Sequence, residues 1–280
     1  MNHQKTKIAV VTGAGGTLCS EMARVLAGQG IKTALLGRDP AKLQKTEDEI
    51  KANGGIALSI SADVSDMKAV ENARDIILKE WGVPTILING AGGNQTEAVT
   101  TVNEFDQREL SDSPQDMRGF FNIDLVLFKN VIEANTMGTV IPCRVFGAEM
   151  SKNGGGCIIN IASMNSFRPL SRVAAYGMAK AGIANFTQWL SAYLAPANIR
   201  VNAIAPGFFL NDRSRKLLTT PDGGFTERGA SIIGHTPMKR FGEARELTGC
   251  MNWLINEEAS GFVTGVVVPI DGGFLSCAGV

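Results

Sequence analysis

Short apolar runs rich in β-branched residues alternate along the chain with longer segments of helical periodicity. Seven such runs predict β-strands, at residues 7–11, 32–36, 56–60, 85–89, 157–161, 199–204 and 266–269. Six periodic segments predict helices, at residues 18–29, 40–52, 66–81, 125–152, 176–195 and 243–256. In the first helix, Leu18, Met22, Val25 and Leu26 share one face.

The strand runs are continuously apolar rather than alternating, which is typical of strands covered on both faces. Strand–helix alternation favours a parallel sheet with right-handed crossovers. We therefore predict an α/β fold with one doubly wound, Rossmann-type domain over residues 1–280. It should hold about seven parallel strands, with helices on both faces.

Two long polar segments interrupt this alternation, at residues 93–124 and 207–240. Loops of this length in a compact domain are usually lids or binding loops. Both leave the carboxyl end of a predicted strand, where open parallel sheets bind ligands. We expect a substrate lid at 207–240 and a lid or a plain surface insertion at 93–124.

Composition narrows the classes of function. The 280 residues carry 27 basic and 27 acidic side chains, so nothing favours nucleic acid or an anionic membrane as a partner. Two histidines exclude a His-rich metal site, and no metal is expected. Five cysteines without a CxxC pair indicate free thiols in a reducing compartment. With neither a signal peptide nor a membrane span in the sequence, a cytoplasmic protein is expected.

Glycines separate the first strand from the first helix. Gly13, Gly15 and Gly16 stand there in VVTGAGGTL. Glycine lets the backbone turn tightly and approach a pyrophosphate, which is then bound at the helix N-terminus. After the second strand come Gly37, Arg38 and Asp39. An arginine here suits the 2′-phosphate of NADP(H), whereas Asp39 turned inward would suit NAD(H), so NAD(P)(H) is expected with a lean to NADP(H).

A third pattern combines Ser163 with Tyr176 and Lys180. The tyrosine and lysine are four residues apart and share a helix face. A nearby ammonium group would lower the tyrosine pKa from about 10 and make an acid–base group that works near neutral pH. Ser163 follows a strand, where its hydroxyl can hold a carbonyl or alcohol oxygen.

Taken in order, these motifs resemble the classical short-chain dehydrogenase/reductase family over essentially the whole chain. The matching motifs are TGAGG, Asp63-Val64, NGAG at 89–92, Ser163 with YxxxK thirteen residues later, Pro206-Gly207 and DGG at 271–273. The resemblance implies an NAD(P)-dependent oxidoreductase with Tyr176 as general acid/base. Lys180 would bind the nicotinamide ribose, Ser163 would position the substrate oxygen, and Asn135 would anchor a proton-relay water. The implied cofactor residues are Gly13, Gly15, Gly16, Thr17, Leu18, Arg38, Asp63, Val64, Asn89, Gly90, Ala91, Gly92, Tyr176, Lys180, Pro206 and Gly207.

The sequence also departs from the family pattern. Thr17 and Cys19 stand where the later glycines of TGxxxGxG are usual, and 46 positions separate Asn89 from Asn135, more than in classical members. The details resemble the D-mannonate oxidoreductases (fructuronate reductases) of the short-chain type, which implies a sugar acid as small-molecule substrate. Other sugar, sugar-acid or polyol dehydrogenases, such as the gluconate 5-dehydrogenase type, remain open, as does a non-catalytic dinucleotide-binding protein.

Substrate residues are the least determined by the sequence. A hexuronate calls for an arginine and amides near Tyr176. Trp189 and Tyr193 are expected to pack against the core or a partner subunit, and the family resemblance implies a homotetramer or homodimer. His235 is expected in a lid or at the surface. The substrate candidates are Asn94, Ser163, Asn165, Arg168 and Asn211, with Arg118 and Arg213 as weaker ones.

Overall fold

The computed structural model describes residues 7–111 and 117–277, and it describes only the backbone of residues 212 and 213. Seven strands run through this part of the chain. They are β1 (Ile8–Thr12), β2 (Lys32–Gly37), β3 (Ala57–Ser61), β4 (Ile86–Asn89), β5 (Gly156–Ile161), β6 (Ile199–Pro206) and β7 (Val267–Ile270). Each predicted strand is present, with its ends shifted by at most two residues.

The first five helices that alternate with the strands also begin and end within two residues of their predicted bounds. They are α1 (Thr17–Gly28), α2 (Pro40–Ala52), α3 (Met67–Glu80), α4 (Leu125–Lys152) and α5 (Ala174–Leu194). Two short helices, α6 (Asp212–Leu218) and α7 (Glu227–His235), follow β6. The predicted helix at 243–256 is instead a 3-10 turn, Ala244–Leu247, followed by α8 (Thr248–Ile255). A further short helix, α9 (Glu257–Ser260), lies before β7 and was not predicted.

The seven strands form one parallel sheet in the order β3-β2-β1-β4-β5-β6-β7. The order reverses direction between β1 and β4, whose register pairs Thr12 with Asn89. Side chains alternate along β1, so that Ala9 and Val11 join α1 and α8 in one core while Ile8 and Val10 join α3, α4 and α5 in the other. The predicted doubly wound fold is confirmed.

Three of the helices that alternate with the strands have an aspartate as the N-terminal cap. Asp39, Asp66 and Asp124 accept hydrogen bonds from backbone N–H groups of the first turns of α2, α3 and α4. Such caps satisfy donors that have no partner within the helix. No side chain caps α1, which begins after Gly16. The first N–H groups of α1 therefore face the carboxyl edge of the sheet without a side-chain acceptor.

The two interrupting segments have local structure of their own. In 93–124, 3-10 turns form at Thr96–Ala98 and Gln107–Leu110. In 207–240, α6 and α7 are joined through a bridge between Thr219 and Phe225. No helix in the described ranges combines the length and apolarity needed to span a membrane.

Candidate active site

Ser163 follows β5 by two residues and is 6% exposed. Its Oγ accepts a hydrogen bond of 3.1 Å from the backbone N–H of Asn165, which fixes the orientation of the hydroxyl. The same hydroxyl is close enough to the Tyr176 phenol to lower the pKa of that side chain through hydrogen bonding. The structure therefore joins the serine and the tyrosine at the carboxyl edge of the sheet.

Tyr176 lies in the first turn of α5, and Lys180 lies one helical turn later. Lys180 is 4% exposed, and its Nζ donates a hydrogen bond of 2.7 Å to the carbonyl of Ile161 at the end of β5. The same Nζ is 5.5 Å from the centre of the Tyr176 ring. Ser163, Tyr176 and Lys180 thus come together as the sequence predicted.

The pKa of Tyr176 contradicts one expectation. Burial raises the pKa of Tyr176, and the hydrogen bond from Ser163 opposes that shift. Lys180 does not lower the tyrosine pKa here, because its ammonium is directed at the Ile161 carbonyl and is itself desolvated. Burial lowers the pKa of Lys180 to about 8. The lysine is therefore the group of this trio whose charge changes nearest neutral pH.

The glycine loop after β1 lies against the loop after β4. Thr12 Oγ1 accepts hydrogen bonds of 3.1 Å from the N–H groups of both Gly90 and Ala91. Gly13 has a φ of +69°, and a Cβ there would come within 2.8 Å of the Ala91 nitrogen. This backbone crossing leads directly into the uncapped N-terminus of α1. Its donor set suits a pyrophosphate, so the residues fit a dinucleotide.

Cys19 accounts for the departure from the usual glycine pattern. Its side chain is buried, and a Cβ at Gly90 would overlap the Cys19 Sγ. The cysteine thus occupies the space that a side chain at position 90 would need. This pairing joins residues 71 positions apart, so neither motif alone could have revealed it.

The four candidates for ribose and adenine recognition lie in the loops after β2 and β3 and have different surroundings. Asp39 does not turn inward, because its Oδ1 accepts from the N–H groups of Ala41 and Lys42. Arg38 is exposed and near enough to Asp63 to contribute to the lowered pKa of that carboxyl, although hydrogen bonding from Ser65 is the main cause. Val64 is buried against the sheet.

Asn135 connects α4 to the start of the 93–124 segment. Its Nδ2 donates to the carbonyls of Gly93 and Val131, and its Oδ1 accepts from the Gly93 N–H at 3.1 Å. A Cβ at Gly92, where φ is +144°, would overlap this Oδ1. The side chain of Asn135 therefore fixes the loop after β4, and the relay role that the resemblance implies stays a prediction.

A family model described as short chain dehydrogenase matches residues 7–222, three quarters of the chain and the whole stretch from β1 to α6. The protein belongs to the short chain dehydrogenase family. It is an oxidoreductase, and the resemblance that the sequence motifs predicted is confirmed.

Particular relatives of this dehydrogenase are similar along their full length. It is 45% identical over 274 residues to the uncharacterized oxidoreductase UxuB of Bacillus subtilis (strain 168), a match that covers 98% of this chain and 96% of that protein. A crystal structure from Haemophilus influenza, of a protein for which D-mannonate oxidoreductase activity has been proposed, contains bound NAD. It is 42% identical with a TM-score of 0.92, covering 99% and 98% of the two chains. A proposed gluconate dehydrogenase from Agrobacterium tumefaciens is 28% identical with a TM-score of 0.83, and 96% of each chain is covered.

The predicted substrate residues of the dehydrogenase have different surroundings. Asn165 is buried, accepts from the Leu170 N–H through Oδ1, and leaves Nδ2 without a hydrogen bond. Arg168 donates to the carbonyl of Cys277 at 2.8 Å, which holds it against the C-terminal segment. Asn94 and Asn211 accept from N–H groups one and three residues on, at Gln95 and Ser214. Ser163 lies close to the Tyr176 side chain, and Asn165 lies against Gly177, the next residue of α5.

The remaining predicted residues are also placed by the structure. Pro206 ends β6, and the Gly207 N–H donates to the Ile270 carbonyl of β7. Arg118 donates to the carbonyls of Val99 and Thr96 within its own segment. His235 is exposed, as expected, while the side chain of Arg213 lies outside the described atoms.

The contacts between the 93–124 segment and α5 were not predicted from the sequence. Ala98 is buried in a cluster with Val131 and Ala175, and Tyr176 packs against that cluster. The Thr100 N–H donates to the Arg172 carbonyl, immediately before α5. No sequence signal marks these contacts, because they join turns that are far apart along the sequence.

Proposed function

We propose that this dehydrogenase reversibly reduces the carbonyl group of a sugar acid to a secondary alcohol, with D-fructuronate and D-mannonate as the substrate pair. The observation that carries the proposal is the close approach of Ser163 and Lys180 to Tyr176, at the same sheet edge as a helix N-terminus suited to a dinucleotide. Bound NAD(P)(H) supplies or takes up the hydride.

In this mechanism the phenolic oxygen of Tyr176 carries the proton that is transferred to the substrate. Because burial raises the tyrosine pKa, the phenol is protonated at neutral pH and can donate to the developing alkoxide. In the oxidative direction the phenol first releases its proton to solvent, and the resulting phenolate oxygen accepts the alcohol proton. The Ser163 hydroxyl, held by the Asn165 N–H, supplies the second hydrogen bond to the reacting oxygen.

Lys180 has a binding role in the proposal. Its ammonium binds the ribose hydroxyls next to the reacting end of the cofactor. The hydrogen bond to the Ile161 carbonyl limits its motion. The lowered lysine pKa means that this charge is present only below about pH 8.

Cofactor choice depends on Arg38. With Asp39 engaged in capping α2, the exposed guanidinium favours the 2′-phosphate of NADP(H). The bound NAD in the related Haemophilus influenza structure supports NAD instead. The lean to NADP(H) stands because Arg38, the first residue after β2, has a cationic side chain.

Relatives support the sugar-acid substrate to different degrees. D-mannonate oxidation has been proposed for a protein that is 42% identical, and gluconate oxidation for one that is 28% identical. The second keeps a gluconate dehydrogenase as the alternative activity. Both substrates are sugar acids, and each therefore carries a carboxylate.

The test follows nicotinamide absorbance with purified protein, D-fructuronate, and NADH or NADPH in parallel. We expect rapid cofactor oxidation that falls by about 10²- to 10⁴-fold in Tyr176→Phe, because general acid catalysis is lost. Absence of turnover with both cofactors would exclude the fructuronate activity. Gluconate with NAD or NADP in the reverse assay then tests the alternative.

We also propose that the dehydrogenase forms a homotetramer or homodimer through α4 and α5. Trp189 and Tyr193 stack on the outer face of α5 and are 58% and 67% exposed, beside a groove of about 310 Å³ that Arg144 and Phe186 help to line. Burial of this apolar face would favour association. Light scattering of the double variant Trp189→Glu, Tyr193→Glu should show a smaller particle than the unaltered protein.

A further inference from the structure

The 3-10 turn Thr96–Ala98 lies against the helix that carries Tyr176. Ala98 is fully buried together with Val131 of α4 and Ala175 of α5. The Tyr176 side chain packs against the cluster that these three residues form. The position of the turn therefore affects where the tyrosine ring can lie.

Arg118 binds this turn from the other end of the 93–124 segment. Its Nε donates to the Val99 carbonyl at 3.1 Å, and its Nη2 donates to the Thr96 carbonyl at 3.2 Å. One of these carbonyls precedes Ala98 in the chain and the other follows it. The guanidinium therefore holds both sides of the turn whose buried side chain faces α5.

The backbone around Arg118 is fixed as well. Its N–H donates to Thr101 Oγ1 at 2.9 Å, and its carbonyl accepts from the Thr101 N–H at 2.8 Å. The next residue, Gly119, lies against the buried carboxylate of Glu109, which a Cβ at Gly119 would overlap. The same carboxylate accepts from the Phe121 N–H at 3.0 Å. These contacts fix the backbone position from which the Arg118 side chain reaches the turn.

Another arginine of the segment has different surroundings. Arg108 is 75% exposed and pairs with Asp106, two residues away in sequence. Arg118 instead donates to two backbone carbonyls, which engages its guanidinium away from the substrate role considered for it from the sequence. Hydrogen bonds from a charged donor are stronger than those between neutral groups. Loss of Arg118 should therefore loosen the turn at Ala98, whereas loss of Arg108 should not.

We propose that Arg118 is a positioning residue for the reaction and that it sets the place of the Tyr176 phenol through the turn at Ala98. The proposal rests on the proposed role of Tyr176 as proton donor, but it holds for any carbonyl substrate. The 93–124 segment is then a fixed wall of the site rather than a lid. If the turn shifts, the ring can move away from Ser163, and a misplacement of about 1 Å can lower a rate by about 10²-fold.

Steady-state kinetics of Arg118→Met test the proposal with D-fructuronate. We expect kcat to fall by about 10- to 100-fold, because the proton donor is misplaced. The dissociation constant of the reduced cofactor should stay unchanged, since the loops after β1, β2 and β3 bind it. Arg118→Lys should recover part of the loss, because its ammonium can donate to one of the two carbonyls.

Arg108→Met is the matched control, because it removes an arginine from the same segment without touching the turn. It should leave kcat unchanged. Ala98→Gly removes the buried methyl group and leaves the carbonyls that Arg118 binds, so it should also lower kcat. The losses in Arg118→Met and Ala98→Gly should not add in the double variant, because both act through one contact.

A spectroscopic measurement reports on the tyrosine without turnover. The chain has two tyrosines, Tyr176 and Tyr193, so the tyrosinate absorbance of Tyr193→Phe follows Tyr176 alone. Burial raises the pKa of Tyr176 and outweighs the opposing effect of Ser163. Adding Arg118→Met should therefore lower this pKa, because looser packing admits water, whereas adding Arg108→Met should not. Circular dichroism at each pH shows that the variants are folded.

Failure of this proposal differs from failure of the proposed function. If D-fructuronate is reduced and Arg118→Met retains the full kcat, the positioning role is wrong and the function stands. An equal loss in Arg108→Met, or an equal loss of cofactor binding, would also overturn the role, because it would indicate a general loosening of the fold. If D-fructuronate is not reduced, a lowered Tyr176 pKa in Arg118→Met still supports the role, and an unchanged pKa overturns it.

Discussion

The loops after β1, β2 and β3 differ from those after β4, β5 and β6 in what holds them in place. The first three are short, and backbone turns, glycines and aspartate caps shape them. The last three are long, and hydrogen bonds between distant segments fix them, such as Asn135 to Gly93 and Arg172 to Asn103.

This difference indicates which loops can change substrate specificity between family members. Short loops determined by local turns can present the same cofactor-binding backbone in many family members. Long loops that depend on one another can be exchanged only together, because each supplies contacts that the others need. Lys180 connects the two groups of loops. It lies on α5, after β5, and is close enough to Cys19 of α1, after β1, for each residue to affect the pKa of the other.

The largest effect is expected for Lys180→Met. A lysine with a pKa of about 8, against 10.5 normally, is less readily protonated in the fold than in the unfolded chain. Relative to Lys180→Met, the stability of the unaltered protein should be lowest below pH 8 and should rise between pH 8 and 10.5 by up to about 1.4 kcal/mol per pH unit. Urea unfolding at several pH values measures this difference.

Cys143 titrates at higher pH in both proteins, and its contribution cancels in the difference. The charge of Lys180 lowers the pKa of Cys19, but burial raises that pKa to about 12, above the pH range of this comparison. If the difference in unfolding free energy between the two proteins does not change with pH, the lowered pKa of Lys180 is wrong. Activity of Lys180→Met should be lost at every pH, because the proposed contact with the cofactor ribose is removed.

The contact between Cys19 and Gly90 tests whether the two regions meet through packing. Gly90→Ala should destabilise the protein by about 1–3 kcal/mol, since the new methyl group overlaps the Cys19 Sγ. Cys19→Gly combined with Gly90→Ala should recover much of that loss. Denaturant unfolding of the four proteins in this cycle gives the coupling, and simple additivity would show that the overlap is not the cause.

Gly92 and Gly93 form a matched pair at the boundary of the two regions. Both have a φ of +144°, but only a Cβ at Gly92 meets Asn135, while one at Gly93 meets nothing within 4 Å. The free energy of unfolding of Gly92→Ala, measured in urea, should therefore be about 1–2 kcal/mol lower than that of Gly93→Ala. Equal destabilisation would mean that backbone strain alone decides, and that the Asn135 contact adjusts without cost.

The smallest effect is expected for Asp39→Ala. Loss of the α2 cap should cost about 1 kcal/mol of stability, as should Asp66→Ala at α3. Neither change should alter the ratio of kcat/KM for NADPH to that for NADH, whereas Arg38→Ala should lower it. A shift of that ratio in Asp39→Ala alone would show that Asp39 acts on the ribose.

The sequence by itself determined the order of strands and helices, the glycine loop, and the Ser163, Tyr176 and Lys180 set. These features are local, since periodicity and motif spacing reflect backbone geometry over a few residues. The sequence did not reveal α6, α7 or the turns of 93–124, because these elements are short and depend on packing against other segments.

Only the tertiary structure decided which distant groups face one another. It engaged Asp39 in the cap of α2 and Arg168 at the Cys277 carbonyl, and it placed Cys19 against Gly90. It also reversed the expected direction of the Tyr176 pKa, because desolvation depends on everything that surrounds the phenol. Burial and long-range charge are properties of the folded protein, and no spacing along the sequence encodes them.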